Sequence, residues 1–133
     1  MRMRKKSNGE QRKKLLSSLS CESIVGFTDK IEKIYGNNNP LRIEIGCGKG
    51  DFIRAKSVQE PNYNYLAIEK ISDVCVLAIE NYARSRGLGD LAKNGGWEAP
   101  DGTIYPLDSD PIEFTNEQKG NVRFMVGDAA QLL

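Results

Sequence analysis

The stretch Leu41-Arg42-Ile43-Glu44-Ile45-Gly46-Cys47-Gly48-Lys49-Gly50-Asp51-Phe52 decides the fold. Leu41–Ile45 is short, apolar and β-branched, with Glu44 as its only acid, and reads as a buried strand. Glycines at alternate positions follow. Helical spacing then resumes over 51–58, with Phe52, Ile53 and Ala55 available for packing. A glycine turn between a buried strand and a helix is where an open α/β sheet receives a ligand. The spacing narrows the choice of ligand. A dinucleotide fingerprint needs glycine where Asp51 stands, and a Walker loop needs a Gly-Lys-Ser/Thr run that is absent.

The same alternation continues downstream. Pro61-Asn62-Tyr63-Asn64 is a turn, and 65–68 is a second buried strand that ends in Glu69. Val74, Leu77, Ala78 and Tyr82 mark an amphipathic helix over 72–86, stopped by Gly87. Val122–Val126 is a third buried strand, closed by Gly127-Asp128. Residues 87–120 are rich in glycine and proline and too long for a plain loop in a compact domain. They read as an insertion with order of its own. Asp101-Gly102 could turn a small hairpin with 103–107 as one arm, and Trp97, Tyr105 and Phe114 could stack on bases but read better as a small core of the insertion. Upstream, Ile24, Val25, Phe27, Ile31 and Ile34 suggest a short helix around 27–35, which the run from Gly36 to Pro40 breaks. Strand, helix, strand, helix, insertion, strand is the βαβαβ half of a Rossmann-like α/β fold, a parallel sheet with helices on both faces.

In this topology Glu44, Glu69 and Asp128 stand at the C-terminal ends of adjacent strands. Glu44, two residues before the first glycine, would repel a pyrophosphate and suits a cationic ligand. The aminoacyl end and sulfonium of S-adenosylmethionine fit that description. Glu69 is placed to accept from ribose hydroxyls, although with Lys70 it could also be a surface ion pair. Asp128 could accept from the amine of adenine or cap the next helix. Cys47 reads as a small residue that fits the loop rather than as a nucleophile.

Composition limits the chemistry. The chain has 133 residues, enough for one domain, and no histidine, which removes the commonest general base and metal ligand. Its three cysteines lack metal-ligand spacing and suit a reducing compartment, so no metal site is expected. No apolar run is long enough for a membrane span and the N-terminus has no signal-peptide pattern, so no membrane partner and a cytoplasmic location are expected. Residues 1–14 carry seven cations against Glu10, a net +6 on a chain of net +1. We read 1–19 as a flexible basic arm suited to a polyanion and 20–133 as the folded part.

These residues together resemble the bacterial tRNA (guanine-N(7)-)-methyltransferase family, a class I S-adenosylmethionine-dependent group. The likeness rests on Met1-Arg2-Met3-Arg4-Lys5-Lys6, on 41–52 with its Gly-Lys-Gly-Asp-Phe continuation, on 64–70, and on 121–129. It implies methyl transfer to N7 of a guanosine in the tRNA variable loop. N7 already carries a lone pair, so orientation and proximity could supply most of the rate. It also implies cofactor binding by Glu44, Gly46, Cys47, Gly48, Glu69, Lys70, Asp128 and Ala129, and contact of Arg2, Arg4, Lys5 and Lys6 with tRNA phosphates. Segment 87–120 exceeds the family's short connection. The match stops before the later strands and the Pro-Asp-Pro-Trp-type motif of the family, so the fold is expected as a truncated half and no catalytic residue carries over. Leu41–Ile45 would then be an exposed apolar edge, and self-association or a partner supplying the other half is expected. Two other readings stay open at this point: a methyltransferase of another substrate class, and an inactive cofactor-binding fragment.

Overall fold

The computed structural model describes residues 8–23 and 26–128. Helix α1 (Gly9–Leu15) and a 3-10 turn at Ser17–Leu19 come first, and a second 3-10 turn (Phe27–Lys30) runs into α2 (Ile31–Tyr35). Then follow β1 (Leu41–Ile45), α3 (Asp51–Gln59), β2 (Asn64–Glu69) and α4 (Ser72–Ser85). The insertion contributes β3 (Asp90–Leu91), β4 (Trp97–Glu98), β5 (Ile104–Tyr105) and α5 (Asn116–Lys119), and β6 (Val122–Val126) closes the order.

The main sheet has the order β1-β2-β6 with both pairings parallel, Ile45 beside Ile68 and Glu69 beside Val126. All three C-terminal tips therefore meet at one edge. β2 is central and every one of its residues is buried, which is why it reads as a continuous apolar run. Alternation sends Tyr65, Ala67, Val122 and Phe124 to one face, where Ile53, Ile79, Tyr82 and the leucines of the N-terminal segment cover them. Leu66, Ile68 and Met125 face the other way, against Phe27 and Tyr35. Helices thus lie on both faces, as the sequence implies.

Two charges are buried to hold this arrangement. Arg123 is 1% exposed, and among the described residues it makes no ion pair with an acid. Its guanidinium donates to the carbonyls of Lys119, Gly120 and Val122 and, across the face, to that of Ile34 at 3.0 Å, while it lies 5.0 Å from the Tyr35 ring. The negative ends of α2 and α5 thereby replace a carboxylate. The second charge corrects the expected arm. From Gly9 onward the N-terminal segment is helical and packed, not flexible. Leu15, Leu16 and Leu19 are buried, and Arg12 makes a two-pronged ion pair with Glu80 of α4, itself 1% exposed. The charge count hides these anchors, because the leucines follow the basic run rather than interrupt it. Residues 1–7, including Arg2, Arg4, Lys5 and Lys6, lie outside the described residues, as do Ile24 and Val25.

Smaller corrections follow from helix phase. On α3, Ile53 and Ser57 turn inward, whereas Phe52 (68% exposed) and Ala55 face out. On α4 the deepest residues are Cys75, Val76, Ala78, Ile79, Tyr82 and Ala83, with Val74 and Leu77 only half-buried. The hairpin of the insertion forms at Asp101-Gly102, with β4 and β5 antiparallel and β3 added on the far side of β4. Its aromatic residues do not make a separate core. Trp97 is 1% exposed and belongs to the main cluster with Leu88 and Ile112, its indole N–H bonding Leu88 O at 3.0 Å.

Candidate functional site

The glycine turn is built from the backbone outward. The N–H groups of Gly46 and Cys47 both donate to Ile68 O, at 2.7 and 3.2 Å, which ties the loop to the tip of β2. Gly50 N–H then closes on Cys47 O at 2.9 Å. Gly46, Gly48 and Gly50 have φ of 72°, 55° and 84°, a region where a side chain costs about 1–2 kcal/mol. Their surroundings differ. A Cβ on Gly50 would lie 3.3 Å from the Ala78 side chain, so this glycine serves helix packing. A Cβ on Gly46 or Gly48 would meet nothing within 4 Å. The first two glycines therefore border open space that a ligand could fill.

Glu69 is 8% exposed and does more than the sequence suggests. One carboxylate oxygen accepts from Gly48 N–H at 3.0 Å and the other from Ile71 N–H at 2.9 Å. It fixes the glycine loop to the start of α4, and its remaining lone pairs are left for a ligand. Glu44, half-buried, lies on the α3 side of β1 and lines a small cleft with Phe52, Ile53 and Lys56. Burial holds its carboxyl above the usual range. Cys47 sits between the acids. Burial first, then the neighbouring Cys75, Glu69 and Glu44, push its thiol up to about 12, so it is a neutral wall of the loop rather than a nucleophile. Lys70 is exposed beside Glu69, and Asp128 is exposed just beyond β6, where Gly127 N–H bonds Glu69 O at 3.0 Å. Glu44, Gly46, Cys47, Gly48, Glu69 and Lys70 thus gather at one edge with Asp128, while Ala129 lies outside the described residues.

Sequence reasoning missed three contributors. Ile71, 58% exposed, presents the amide that orients Glu69. Asn81, one of the polar positions on α4, braces the loop by donating to Lys49 O at 3.1 Å. The root of the basic arm is the third: Asn8 to Gln11 and Ile71 to Asp73 wall a hollow of about 440 Å³ next to Glu69. The available signal was Gly9, whose lack of a side chain lets α1 approach Asp73. A larger hollow, about 720 Å³ among Tyr35, Arg54, Ser57, Tyr82, Arg86 and Asn121, lies beyond the opposite ends of the strands, and none of these acids lines it.

A parallel sheet with a glycine turn and acids at its C-terminal edge is the frame on which a nucleoside-bearing cofactor is held. A family model described as a putative methyltransferase matches residues 38–133. The chain belongs to this methyltransferase family. Among curated relatives, a tRNA (guanine-N(7)-)-methyltransferase of Lachnoclostridium phytofermentans is 50% identical over 58 residues, which are 44% of this chain and 27% of that protein. Proteins of the same name from Listeria welshimeri and Bacillus subtilis are 35% and 34% identical over 80 residues, 60% of this chain and 37% and 38% of theirs. The methyltransferase chain therefore spans between about a quarter and two fifths of these relatives. Among the described residues no helix is long and apolar enough to cross a membrane, and no cluster of three or more His, Cys, Asp or Glu residues could hold a metal ion.

Proposed function

We propose that this chain is the cofactor-binding part of a tRNA guanine-N7 methyltransferase. One observation carries the reading: the left-handed glycine turn opens onto empty space at Gly46 and Gly48 and is bracketed by Glu44 and Glu69. S-adenosylmethionine, when bound, supplies a methyl group activated on a sulfonium. The residues of the chain bind and orient it. Glu44 accepts from the ammonium of the aminoacyl end. Gly46, Cys47 and Gly48 give a surface free of side chains in the way. Glu69, already oriented by Gly48 and Ile71, accepts from the ribose, with Lys70 beside it. Asp128 and Ala129 take the adenine side. The target N7 needs no deprotonation, which suits a chain without histidine.

The substrate reading rests on the relatives' names and on charge. Asn8, the first described residue, lies next to Ile71–Asp73, so the segment that carries Arg2, Arg4, Lys5 and Lys6 joins the fold on the cofactor edge, where a bound tRNA would present its base. A tRNA substrate makes the cytoplasm the place of action. β1 is the edge strand of the described sheet and exposes Ile43 and Ile45 (57%), with Phe52 nearby. An apolar edge of this kind calls for a further strand, from a second copy, from a partner that carries the other half of the fold, or from a longer product of which this chain is a part.

Calorimetry with S-adenosylhomocysteine tests the cofactor reading: wild type binds, and Glu69→Ala binds at least tenfold more weakly. Filter binding of tRNA tests the substrate reading. Affinity falls steeply with salt, and the slope flattens when Arg2, Arg4, Lys5 and Lys6 become serine. Absence of S-adenosylhomocysteine binding by a folded chain refutes the first reading. An unchanged salt slope refutes the second.

A further inference from the structure

The insertion holds a cleft that the cofactor reading does not use. It measures about 310 Å³. Buried Trp97, Leu88 and Ile112 form its floor, half-buried Tyr105 and Phe114 its walls, and exposed Asp101 and Glu113 stand at its rim. It opens beside Gly87 and Leu88, past the C-terminal end of α4. The opposite end of α4 is at the cofactor edge, and its 14 residues put the two sites about 20 Å apart.

The cleft is rigidly made. Gly89 and Gly96 allow backbone crossings that no side chain fits: a Cβ on them would lie 2.1 Å from Glu98 O and 2.0 Å from Tyr105 O. Thr115 and Gln118 close a reciprocal cap on α5, and Asp101 accepts from Thr103 N–H at 2.9 Å, which keeps its carboxyl below the usual range. Ile112 N–H bonds Leu15 O at 2.9 Å and anchors the cleft to the N-terminal helix.

Charge identifies the occupant. Segment 87–120 carries seven acids against Lys93 and Lys119, a net −5. The other residues that follow the basic run, 15–86 with 121–133, sum to zero, so the net negative charge beyond residue 14 is concentrated in the insertion. Such a surface repels a phosphate backbone and attracts cations. Aromatic walls with carboxylates at the rim suit a planar cation that stacks and donates paired hydrogen bonds to a carboxylate, and guanidinium has that shape where ammonium does not.

We propose that this cleft is a docking site for an arginine side chain on a basic segment of a partner protein. The guanidinium stacks on Tyr105 or Phe114 and pairs with Glu113, and neighbouring cations of the segment meet the acidic surface around the cleft.

The chain contains a single tryptophan, at the floor of the cleft, and its emission reports occupancy without any need for methyl transfer. Titration with a hexa-arginine amide produces a saturable change in Trp97 emission, at least tenfold weaker with hexalysine and at least tenfold weaker in Glu113→Lys. Glu113 is exposed, so the variant keeps its melting temperature, and Glu113→Gln gives an intermediate affinity. No change with hexa-arginine, an equal response to hexalysine, or binding indifferent to Glu113→Lys overturns the proposal. A response to oligouridylate in place of the peptide overturns it in favour of RNA. A shift of Trp97 emission caused only by replacing Arg2, Arg4, Lys5 and Lys6, with no peptide present, overturns it in favour of the chain's own arm.

Discussion

Removing Glu80 tests how the basic arm is attached. Arg12 and Glu80 are the ion pair that joins α1 to α4, with side chains 12% and 1% exposed. Truncating Glu80 to alanine leaves a guanidinium in a site that solvent barely reaches, and breaking a buried pair in this way costs about 3–5 kcal/mol. α1 lies at the edge of the fold, and Arg12 can swing outward once released, so the lower end, about 3 kcal/mol, is expected. The double change Arg12→Met with Glu80→Leu replaces both charges by apolar groups of similar volume and should recover most of that loss, since desolvation offsets much of the attraction in a buried pair. Urea unfolding followed by circular dichroism measures both differences, and the coupling follows from the cycle with the two single variants. Limited trypsin digestion adds a local readout. Cleavage after Arg12, Lys13 and Lys14 accelerates in Glu80→Ala while sites in α4 stay protected. A loss below 1 kcal/mol for Glu80→Ala, or a double variant no better than the single, would refute the claim that this pair anchors the helix.

Glu69→Ala removes two charge-assisted acceptors from the loop and lowers S-adenosylhomocysteine affinity at least tenfold, at about 1.5–3 kcal/mol for each such bond; Glu69→Gln, which can replace one acceptor, falls between the two in calorimetry. The thiols of Cys47 and Cys75 are raised from 9.0 to about 12 and about 11. Their neutral forms therefore stabilise the fold fully below pH 9, and that contribution fades between pH 9 and 12; the double alanine variant flattens this limb of the pH–stability curve in urea titrations. Because burial raises the carboxyl of Glu44, S-adenosylhomocysteine affinity drops as mild acid protonates it, whereas Glu44→Gln binds weakly with a flat profile over the same range. Gly96→Ala cannot place its Cβ 2.0 Å from Tyr105 O without opening β4 from β5, and thermal melts should show a larger loss than Gly102→Ala, where the left-handed turn has open space.

β2 and β6 were legible because burial on both faces forces continuous apolar runs; the apolar run at 41–45 marked β1 with its observed bounds, but not as the buried strand expected, since at the sheet's edge Ile43 and Ile45 stay exposed. The glycine turn was legible because few residue types tolerate its backbone. What the sequence concealed was directional. Nothing in the pattern at Phe52 and Ile53 says which of two adjacent apolar residues turns inward until the helix phase is set by packing on β2. The role of Glu69 as a brace was hidden for a similar reason: its partners are backbone amides of Gly48 and Ile71, which carry no side-chain signature. Arg12 read as one more charge in a basic run, since its partner lies 68 positions away.

Trp97 makes the segment that carries it hard to remove. Its indole is shared property: it fills the main core next to Leu88 and Ile112 and holds the carbonyl at the exit of α4. A segment that lends its largest side chain to the interior cannot be deleted in one step. Excision would leave a void the size of a tryptophan and expose the outer side of α4. Shortening the segment therefore requires compensating changes at several sites at once, whether or not its surface meets a partner.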